Sequence, residues 1–452
     1  MKAAAELNGL LNTPRAGDEL VAYRGSEHLY WGDFTSACNG YIQRFSQYPK
    51  GSWALYDDDA FRFVCQLMAL WQLGNTVYLP GDNLPANCQR LNDKVLGFIG
   101  DFPRLSSPFC EAPEPQVSRP VEPIDNDAIS MVIFTSGSSG EPSEVPVSLR
   151  QLNAEAATLE LQFGQQLNNC AIASTVSHQH LYGFTFALLW PLLYRRPFPC
   201  QRTHYIEELP SIYRHHPETI LISTPSHLSR LPPNIEEQSV RDSTQLVFSS
   251  TAPLAKPDSD TTRQYFQSDV IEIYGSSETG AIAWRNQAQQ PYWTTLPNIQ
   301  IKDDKQRLNI KSPHCFDTDW QRGNDKIQRI DDGRFELIGR IDRIAKVEGV
   351  RVSLTAMEAR IERQADIRRA RVLGINETGG LGAVVELNAS SLPDTHTRKT
   401  LTQRLKHALL EEFALPTVPK KWRFVERLPE DSQGKVRMSA LLQLFHRKDP
   451  NP

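Results

Sequence analysis

The sequence has 452 residues, of which 40% are hydrophobic and 23% are charged, and its formal net charge is −4. This composition is typical of a soluble globular protein with two or three domains, each large enough to have its own core. The chain has no long block of lysine and arginine, so no nucleic-acid partner is predicted, because phosphates demand a concentrated basic surface.

The amino-terminal residues, MKAAAELNGLLN, lack the unbroken apolar run of a secretory signal, and no later stretch is long enough to span a bilayer. We therefore expect a cytoplasmic protein without a membrane span. The cysteines are scattered and form no CxxC pair, so the sequence predicts buried thiols and neither a disulfide framework nor a zinc site. They are Cys38, Cys65, Cys88, Cys110, Cys170, Cys200 and Cys315.

The first hundred residues alternate between strand-like and helix-like segments. WALYDDD (53–59) predicts a buried strand that ends in a polar turn, and AFRFVCQLMALWQLG (60–74) predicts an amphipathic helix closed by Gly74. TVYLP (76–80) predicts the next strand. The proline-rich segment at 101–123 has neither the hydrophobic period of a helix nor that of a strand, so it is predicted to be a surface connection or a domain seam.

A strand, a glycine-containing loop and a helix follow. SMVIF (130–134) predicts a buried strand, and SLRQLNAEAATLELQFG (148–164) predicts a helix with Ser148 at its start. This arrangement presents backbone N–H groups to an anion. The loop lacks the lysine of the GxxxxGK[ST] nucleotide motif, and taken alone it is equally consistent with a flexible Ser/Gly turn.

Later segments continue the α/β alternation. AIAST, TILIST, QLVFSS and VIEIYG predict further strands between residues 171 and 275. Beyond residue 300, RLNIK and RFELIG predict short alternating strands, and LTAMEARIERQ (354–364) predicts a charged helix. The pattern indicates a small α+β unit from about residue 339.

Four motifs in this order identify a family resemblance. The FTSGSSG loop is followed by YGSSETG (274–280), GRIDRIAKVEGVRV (339–352) and LPEDSQGKVR (428–437). The chain resembles the adenylate-forming (ANL) superfamily, which includes acyl-CoA and aryl-CoA synthetases, peptide-synthetase adenylation domains and luciferases. The resemblance implies a large amino-terminal AMP-binding domain (1–338) of mixed sheets flanked by helices. A small mobile α+β domain (339–452) would follow it, with a hinge near Asp342.

The resemblance implies that the chain activates a carboxylic acid with ATP and Mg²⁺ and passes the acyl group to a thiol. In the family the loop cradles the β- and γ-phosphates of ATP. The residues at those positions are Thr135, Ser136, Gly137, Ser138, Ser139 and Gly140.

YGSSETG carries the next set of implied roles. By the family pattern, Tyr274 and Gly275 lie near the adenine, Ser277 contacts the α-phosphate, and Glu278 helps to hold Mg²⁺. Without the family, a glutamate after a strand is more often a solvated charge at a helix start.

The carboxyl-terminal motifs imply ribose, hinge and catalytic roles. Asp325 takes the position of the ribose-binding aspartate, although Asn324 stands where the family has glycine, and Asp317, Asp319 and Asp331 are nearby alternatives. Arg340 matches an arginine that grips ribose or phosphate. By the resemblance, Asp342 is the hinge residue and Gly349 lets a pantetheine arm pass close to the backbone. Lys435 would bridge the carboxylate of the acid and the α-phosphate.

The implied acid pocket is bordered by SHQHLYGF (177–184), STPSHL (223–228) and SSTAPL (249–254). Ser250 and Thr251 replace the glycines of the family's SGGAPL, which favours a compact or flat acid. TPSHLSRL shows no aspartate for an α-amine, so an amino acid is not favoured. His178 and His180 are two apart, which on a strand would place both on one face, but no carboxylate or further ligand lies at a useful spacing, so a metal pair is not favoured. The implied pocket residues are His180, Gly183, Ser249, Thr251 and Gly280.

The acceptor and two competing functions stay open. No carrier domain follows the lysine motif, so we expect coenzyme A or a separate acyl carrier protein. The SHQHLYGF segment resembles the corresponding segment of stand-alone ligases from aryl-polyene or fatty-acid-like gene clusters. A non-catalytic nucleotide-binding sensor or scaffold is the alternative suggested by Ser143, where the family has its loop lysine. Use of the adenylate for oxidation or amide formation is the third hypothesis.

Overall fold

The computed structural model describes residues 5–102, 121–135, 143–232, 238–347, 350–375, 380–388, 394–431 and 436–446. These residues form a mixed α/β structure in which helices flank large sheets, as the sequence predicts. The strands are β1 (Leu20–Arg24), β2 (Glu27–Tyr30), β3 (Ser52–Tyr56), β4 (Thr76–Leu79), β5 (Phe98–Gly100), β6 (Ile129–Thr135), β7 (Ser143–Ser148), β8 (Ala171–Ser174), β9 (Phe198–Pro199), β10 (Thr219–Ser223), β11 (Thr244–Ser249), β12 (Val270–Ser276), β13 (Gly280–Arg285), β14 (Trp293–Thr295), β15 (Gln300–Asp304), β16 (Arg307–Lys311), β17 (Gln321–Arg329), β18 (Arg334–Arg340), β19 (Ile344–Val347), β20 (Val350–Ser353), β21 (Ile367–Gly374), β22 (Leu381–Leu387) and β23 (Lys421–Val425).

The helices alternate with these strands over most of the chain. They are α1 (Trp31–Phe45), α2 (Ala60–Gln72), α3 (Pro85–Leu91), α4 (Leu149–Phe163), α5 (Leu181–Gly183), α6 (Trp190–Leu193), α7 (Leu209–Tyr213), α8 (Pro225–Leu228), α9 (Gln238–Ser243), α10 (Lys256–Phe266), α11 (Leu354–Glu362), α12 (Thr395–Leu410) and α13 (Met438–His446).

Helix α4 begins where the sequence predicts. Ser148 and Gln151 form a capping box, in which the Ser148 backbone N–H donates to Gln151 Oε1 over 2.9 Å. This bond satisfies an N–H group that the first turn of a helix leaves without a partner. The helix therefore starts directly after β7, the strand that follows the glycine-serine loop.

The largest sheet among the described residues has ten strands in the order β15-β16-β17-β18-β14-β13-β12-β11-β10-β8. Strands β8, β10, β11 and β12 are parallel to one another, whereas the strands from β13 onward pair antiparallel. The strands predicted beyond residue 300 are thus an antiparallel extension of the sheet that carries YGSSETG.

A five-stranded sheet, in the order β5-β3-β4-β6-β7, carries the glycine-serine loop. Strand β7 is antiparallel to β6, and the last paired residues of the two strands are Thr135 and Ser143. The described ladder therefore defines both ends of the loop, whose residues 136–142 lie outside the described ranges.

Aromatic side chains join the helices to the largest sheet. The ring of Phe248 on β11 lies 5.1 Å from Phe163, 5.4 Å from Phe186 and 6.0 Å from Trp190, measured between centroids. These edge-to-face contacts exclude water from the interior side of β11. They connect α4 and α6 to the strand that ends at Ser249.

Residues after 344 form their own sheets and core. Strands β19 and β20 make a two-stranded ladder, and β21, β22 and β23 make a three-stranded sheet. Helices α11 and α12 pack on this sheet around Met357 and Leu405, which are fully buried in a cluster separate from that of the largest sheet.

Two further expectations concern membranes and cysteines. Within the described ranges, no helix combines the length and apolar character needed to cross a membrane. Six cysteines are free and buried, as predicted, and the seventh, Cys110, lies outside the described residues.

We expect Phe248→Ala to lower the free energy of unfolding by about 3–5 kcal/mol, because it leaves a cavity among three aromatic rings. Urea unfolding followed by fluorescence measures the change. Phe316→Ala is the control, because Phe316 is 50% exposed and its loss should change the value by less than about 0.5 kcal/mol. Equal effects of the two substitutions would contradict the packing described for β11.

Candidate active site

The carboxyl ends of the parallel strands form one polar edge of the largest sheet. Ser223 at the end of β10 pairs with Ser249 at the end of β11, and Ser249 pairs with Glu272 on β12. Tyr274 follows on the same strand. Because parallel strands end at a common edge, the segments predicted from three distant parts of the sequence lie side by side.

Tyr274 connects this edge to the antiparallel half of the sheet. Its hydroxyl donates a hydrogen bond to Asp325 Oδ2 over 2.5 Å, and Asp325 on β17 pairs across the ladder with Arg340 on β18. The Tyr274 ring lies 5.5 Å from Trp293 and 5.9 Å from Phe335. The structure thus brings together three residues that the motifs imply for nucleotide binding.

Burial governs the chemistry of this tyrosine. Desolvation, followed by the charge of Asp325, raises the pKa of Tyr274 well above its ordinary value of 10. The phenol therefore stays protonated and serves as a donor to the carboxylate. It holds Asp325 in one orientation.

Ser277 and Glu278 lie on the turn between β12 and β13. The Thr279 hydroxyl accepts the Ser276 backbone N–H over 3.1 Å and closes the turn. Glu278 is exposed, and it makes no hydrogen bond or ion pair with other described residues. An exposed carboxylate without a competing partner is available to a hard cation such as Mg²⁺.

A tight backbone approach sets the shape of this turn. A Cβ atom on Gly275 would lie 2.1 Å from the carbonyl oxygen of Gly280, which no side chain tolerates. Gly280 itself has a φ of +61°, in the left-handed region that favours glycine. Both glycines of YGSSETG are therefore required by the backbone path.

A buried carboxyl that the sequence did not reveal holds the end of this turn. Glu155 on α4 accepts the Ala281 backbone N–H over 2.8 Å, and the Thr185 hydroxyl lies 3.4 Å from its other oxygen. His314 Nδ1–H donates to the Ala281 carbonyl oxygen over 2.9 Å. These contacts fix the backbone that follows Glu278, the candidate Mg²⁺ ligand, and so limit the positions that its carboxylate can take.

The glycine-serine loop is only partly within the described ranges. Thr135 is the last residue of β6, and the backbone after it, from Ser136 to Gly140, lies outside. Glu144, next to the Ser143 position where the family has lysine, forms an ion pair with Lys94. A cation from the segment after α3 thus lies at the base of the loop.

His180 and Gly183 border the predicted acid pocket. His180 is half-buried at the start of α5, and burial, followed by the nearby charge of Arg202, lowers its pKa to about 3. The imidazole is therefore neutral at physiological pH. A Cβ atom on Gly183 would lie 2.2 Å from the Ser177 carbonyl oxygen, so the helix turns directly against this segment.

His178 and His180 belong to the segment that directly precedes α5. Their backbone forms a turn and a bend and is not part of a strand. The buried His178 Nε2 lies 2.8 Å from the Asp57 carbonyl oxygen. Among the described residues, no group of three or more histidine, cysteine, aspartate or glutamate side chains has the geometry of a metal site.

The loop after β11 lies beside Tyr274. Ser249 is buried, the Ser250 hydroxyl donates to the Ile273 carbonyl over 2.9 Å, and the Leu254 backbone N–H donates to Glu272 over 3.2 Å. Thr251 has a φ of +79°, a conformation that is strained for a β-branched residue. Thr251, which stands where the family motif has glycine, therefore has a left-handed backbone.

The hinge and carboxyl-terminal positions are described only in part. Asp342 lies in the short helical turn Ile341–Arg343 between β18 and β19. Gly349 and Lys435 fall outside the described residues. Val436, directly after Lys435, forms an antiparallel bridge with Glu430.

This mixed α/β fold, with polar groups gathered at the carboxyl edge of parallel strands, is typical of enzymes that bind a nucleotide at that edge. A family model described as AMP-binding enzyme matches residues 76–314, more than half of the chain. The chain belongs to this family of AMP-binding enzymes, as the motifs predict.

Relatives and solved structures agree with this assignment. A D-alanine–D-alanyl carrier protein ligase of Staphylococcus epidermidis is 22% identical over 71% of this chain and 72% of its own. A 4-coumarate–CoA ligase of Cereibacter sphaeroides is 25% identical over 67% and 69% of the two chains. The ATP-bound structure of MatB from Rhodopseudomonas palustris has the same fold, with a TM-score of 0.77, 15% identity and coverage of 98% and 99%.

We expect Glu155→Gln to change how stability depends on pH. Burial raises the pKa of Glu155 from 4.5 to about 7, although the Ala281 N–H opposes the shift. Between these values the native protein binds more protons than the unfolded chain, so this carboxyl makes the free energy of unfolding fall as pH rises. Glutamine keeps the acceptor oxygen and removes the titration.

Urea unfolding at pH 5 and pH 8 measures this effect. The stability of Glu155→Gln relative to the unsubstituted protein should rise by about 3 kcal/mol over that interval, the linkage value of the shift. Asp57, whose pKa burial also raises to about 7, titrates in both proteins and cancels in the difference. A difference that is constant with pH would contradict the assignment.

Proposed function

We propose that the protein activates a compact aryl or acyl carboxylic acid with ATP and transfers the acyl group from the resulting adenylate to a thiol. The observation that carries the proposal is the group formed by Tyr274, Asp325 and Arg340 beside the Glu278 turn. Its relatives include ligases for a carrier protein and for coenzyme A, which supports either thiol as the acceptor.

The nucleotide would bind at the edge of the largest sheet. Tyr274 and its aromatic neighbours offer an apolar face to adenine, and Asp325 offers carboxylate oxygen to ribose hydroxyls. Arg340, paired with Asp325 across the ladder, adds a permanent positive charge for ribose or phosphate. The Ser277 hydroxyl would donate to the α-phosphate.

Glu278 is the residue that would hold Mg²⁺. The ion, when bound, would neutralise phosphate charge. The protein's own contribution is a fixed approach for that carboxylate, because Glu155 and His314 anchor the backbone that follows it. Backbone N–H groups of the loop from Thr135 to Gly140 would cradle the β- and γ-phosphates.

In the first reaction a carboxylate oxygen attacks the α-phosphorus, an O–P bond forms, and pyrophosphate leaves. Two anions must meet, so the site has to position them and stabilise the charge that develops on phosphorus. Lys435 would supply a cation on the attacking side. In the second reaction a deprotonated thiol attacks the carbonyl carbon, and AMP leaves with the electrons of the acyl–oxygen bond.

The carboxyl-terminal unit (339–452) would serve both reactions from different faces by rotation near Asp342, and Gly349 would let a pantetheine arm pass. The acid would lie against the neutral His180 and Gly183, with Ser249, Thr251 and Gly280 completing the wall. Thr251 stands at a glycine position of the family motif, and its larger side chain would narrow the pocket. A narrower pocket favours a compact or flat acid.

Mass spectrometry of products tests the proposal. The protein is incubated with ATP, Mg²⁺ and a panel of benzoate, cinnamate, butyrate and octanoate, with either coenzyme A or a holo acyl carrier protein. A thioester together with AMP and pyrophosphate is expected. ATP binding without pyrophosphate release would favour a sensor or scaffold, and an amide or oxidised product in place of a thioester would overturn thiol transfer.

We expect Lys435→Ala to lower the rate of ATP–pyrophosphate exchange by about 10²–10³-fold, because one contact to developing charge is lost. Thiol capture of a supplied acyl-adenylate should be unaffected. Lys399→Ala, at an exposed position on α12, is the control and should leave both activities intact. Equal loss of the two half-reactions in Lys435→Ala would count against this role.

We expect Ser143→Lys to tighten ATP binding, because it restores the family's cation beside the leaving pyrophosphate. The apparent KM for ATP in the exchange assay should fall several-fold, with a smaller change in kcat. Combining Lys94→Ala with Ser143→Lys separates the effect of the introduced lysine from that of Lys94, which pairs with Glu144 at the base of the loop. An unchanged KM in Ser143→Lys would show that Lys94 or another cation already fills the place.

A further inference from the structure

Two adjacent residues after α8 contact the carboxyl-terminal sheet. Arg368 Nη2 on β21 donates to the Ser229 carbonyl oxygen over 3.3 Å, and Arg230 Nη2 lies 3.5 Å from Glu430 Oε2. The two contacts are formed by neighbours in sequence on the amino-terminal side, so they act on one short segment. We call these four residues the docking contact.

The carboxyl-terminal half of the docking contact is held in place by its own domain. Glu386 on β22 is buried, accepts the Leu428 backbone N–H over 3.0 Å, and lies 3.5 Å from Arg368 Nε. Arg369 forms an ion pair with Glu430. Arg368 and Glu430 are therefore presented in fixed orientations before they reach Ser229 and Arg230.

The amino-terminal half of the docking contact, Ser229 and Arg230, directly follows a segment that is predicted to line the acid pocket. Helix α8 belongs to the STPSHL segment, where the Thr224 hydroxyl lies 3.1 Å from His227 Nδ1, and Ser229 follows the helix without a break. The Arg230 and Glu430 side chains are only 28% and 11% exposed, so solvent screens their attraction less than on an open surface.

We propose that the docking contact holds the carboxyl-terminal domain in the orientation used for adenylation, with Arg230 as a positioning residue. The proposal rests on the proposed function. Glu430 leads into the segment that ends at Lys435, and its backbone pairs with Val436 on the other side. The contact therefore ties the segment of the implied catalytic lysine to the segment that lines the acid pocket.

Transfer to a thiol uses another face of the same domain, so the docking contact has to break between the two reactions. A partly exposed ion pair such as Arg230–Glu430 shifts the equilibrium between two domain orientations by about fivefold. Reversing the charge of Arg230 would add repulsion against Glu430. The contact is thus strong enough to favour one orientation and weak enough to be released in each catalytic cycle.

Arg230→Glu tests the proposal with the most active acid of the panel. ATP–pyrophosphate exchange should fall about tenfold through kcat, with little change in the KM for the acid, and thiol capture of a supplied acyl-adenylate should be unaffected. Arg263→Glu is the matched control, because it breaks the Arg263–Asp269 pair within the amino-terminal part and should change neither activity. Unchanged exchange, or an equal fall in both half-reactions, would overturn the docking role.

Cross-linking tests the same proposal without removing the charge of Arg230. Ser229→Cys and Arg368→Cys are combined with Cys110→Ser and joined by a short bismaleimide that a reductant cleaves; the six other cysteines are buried. The linked protein should retain exchange and lose thiol capture, and reduction should restore capture. Retained capture with lost exchange would overturn the proposal. Absence of exchange in the unsubstituted protein would instead overturn the proposed function.

Discussion

The hydrogen bond from Tyr274 to Asp325 is the interaction on which the site depends. It joins β12, the last of the parallel strands, to β17 in the antiparallel extension. A buried phenol needs an acceptor, and a carboxylate facing a binding site needs a fixed orientation, so one bond satisfies both requirements. Arg340 lies across the ladder from the same carboxylate, which places a cation and an anion where a nucleotide would meet the sheet edge.

Buried polar groups support this edge at a cost in stability. The carboxyl of Glu155 has lost most of its contact with water, and the raised pKa reports the penalty for charging it there. Its hydrogen bond to Ala281, together with that of His314, fixes the backbone after Glu278. A site that must stabilise developing charge gains from such preorganisation, because the groups need not reorganise during the reaction. The strained backbone of Thr251 is a second cost at the same edge.

The glycine-serine loop differs from the family pattern at the position of its lysine. Glu144 follows the position where the family has lysine, and it pairs with Lys94 from a different part of the fold. The loop retains its glycines and hydroxyls, so its capacity to present backbone donors does not depend on that lysine. In the proposed reaction, this departure from the motif would alter one contact to the leaving group and leave the other proposed contacts in place.

Local sequence signals predicted most of the elements, and the family motifs supplied the candidate site residues. The Ser148 cap, the parallel strands, the glycines of YGSSETG and the positions of Tyr274, Asp325 and Arg340 all follow from periodicity, capping or motif order. Only the tertiary structure decided that β17 and β18 extend the main sheet, that Glu155 lies beneath the Glu278 turn, and that Arg230 meets Glu430. Those contacts join residues far apart in the chain, and they depend on which strand edges pair and which side chains burial forces together. Neither is encoded in the local pattern of hydrophobic and polar residues.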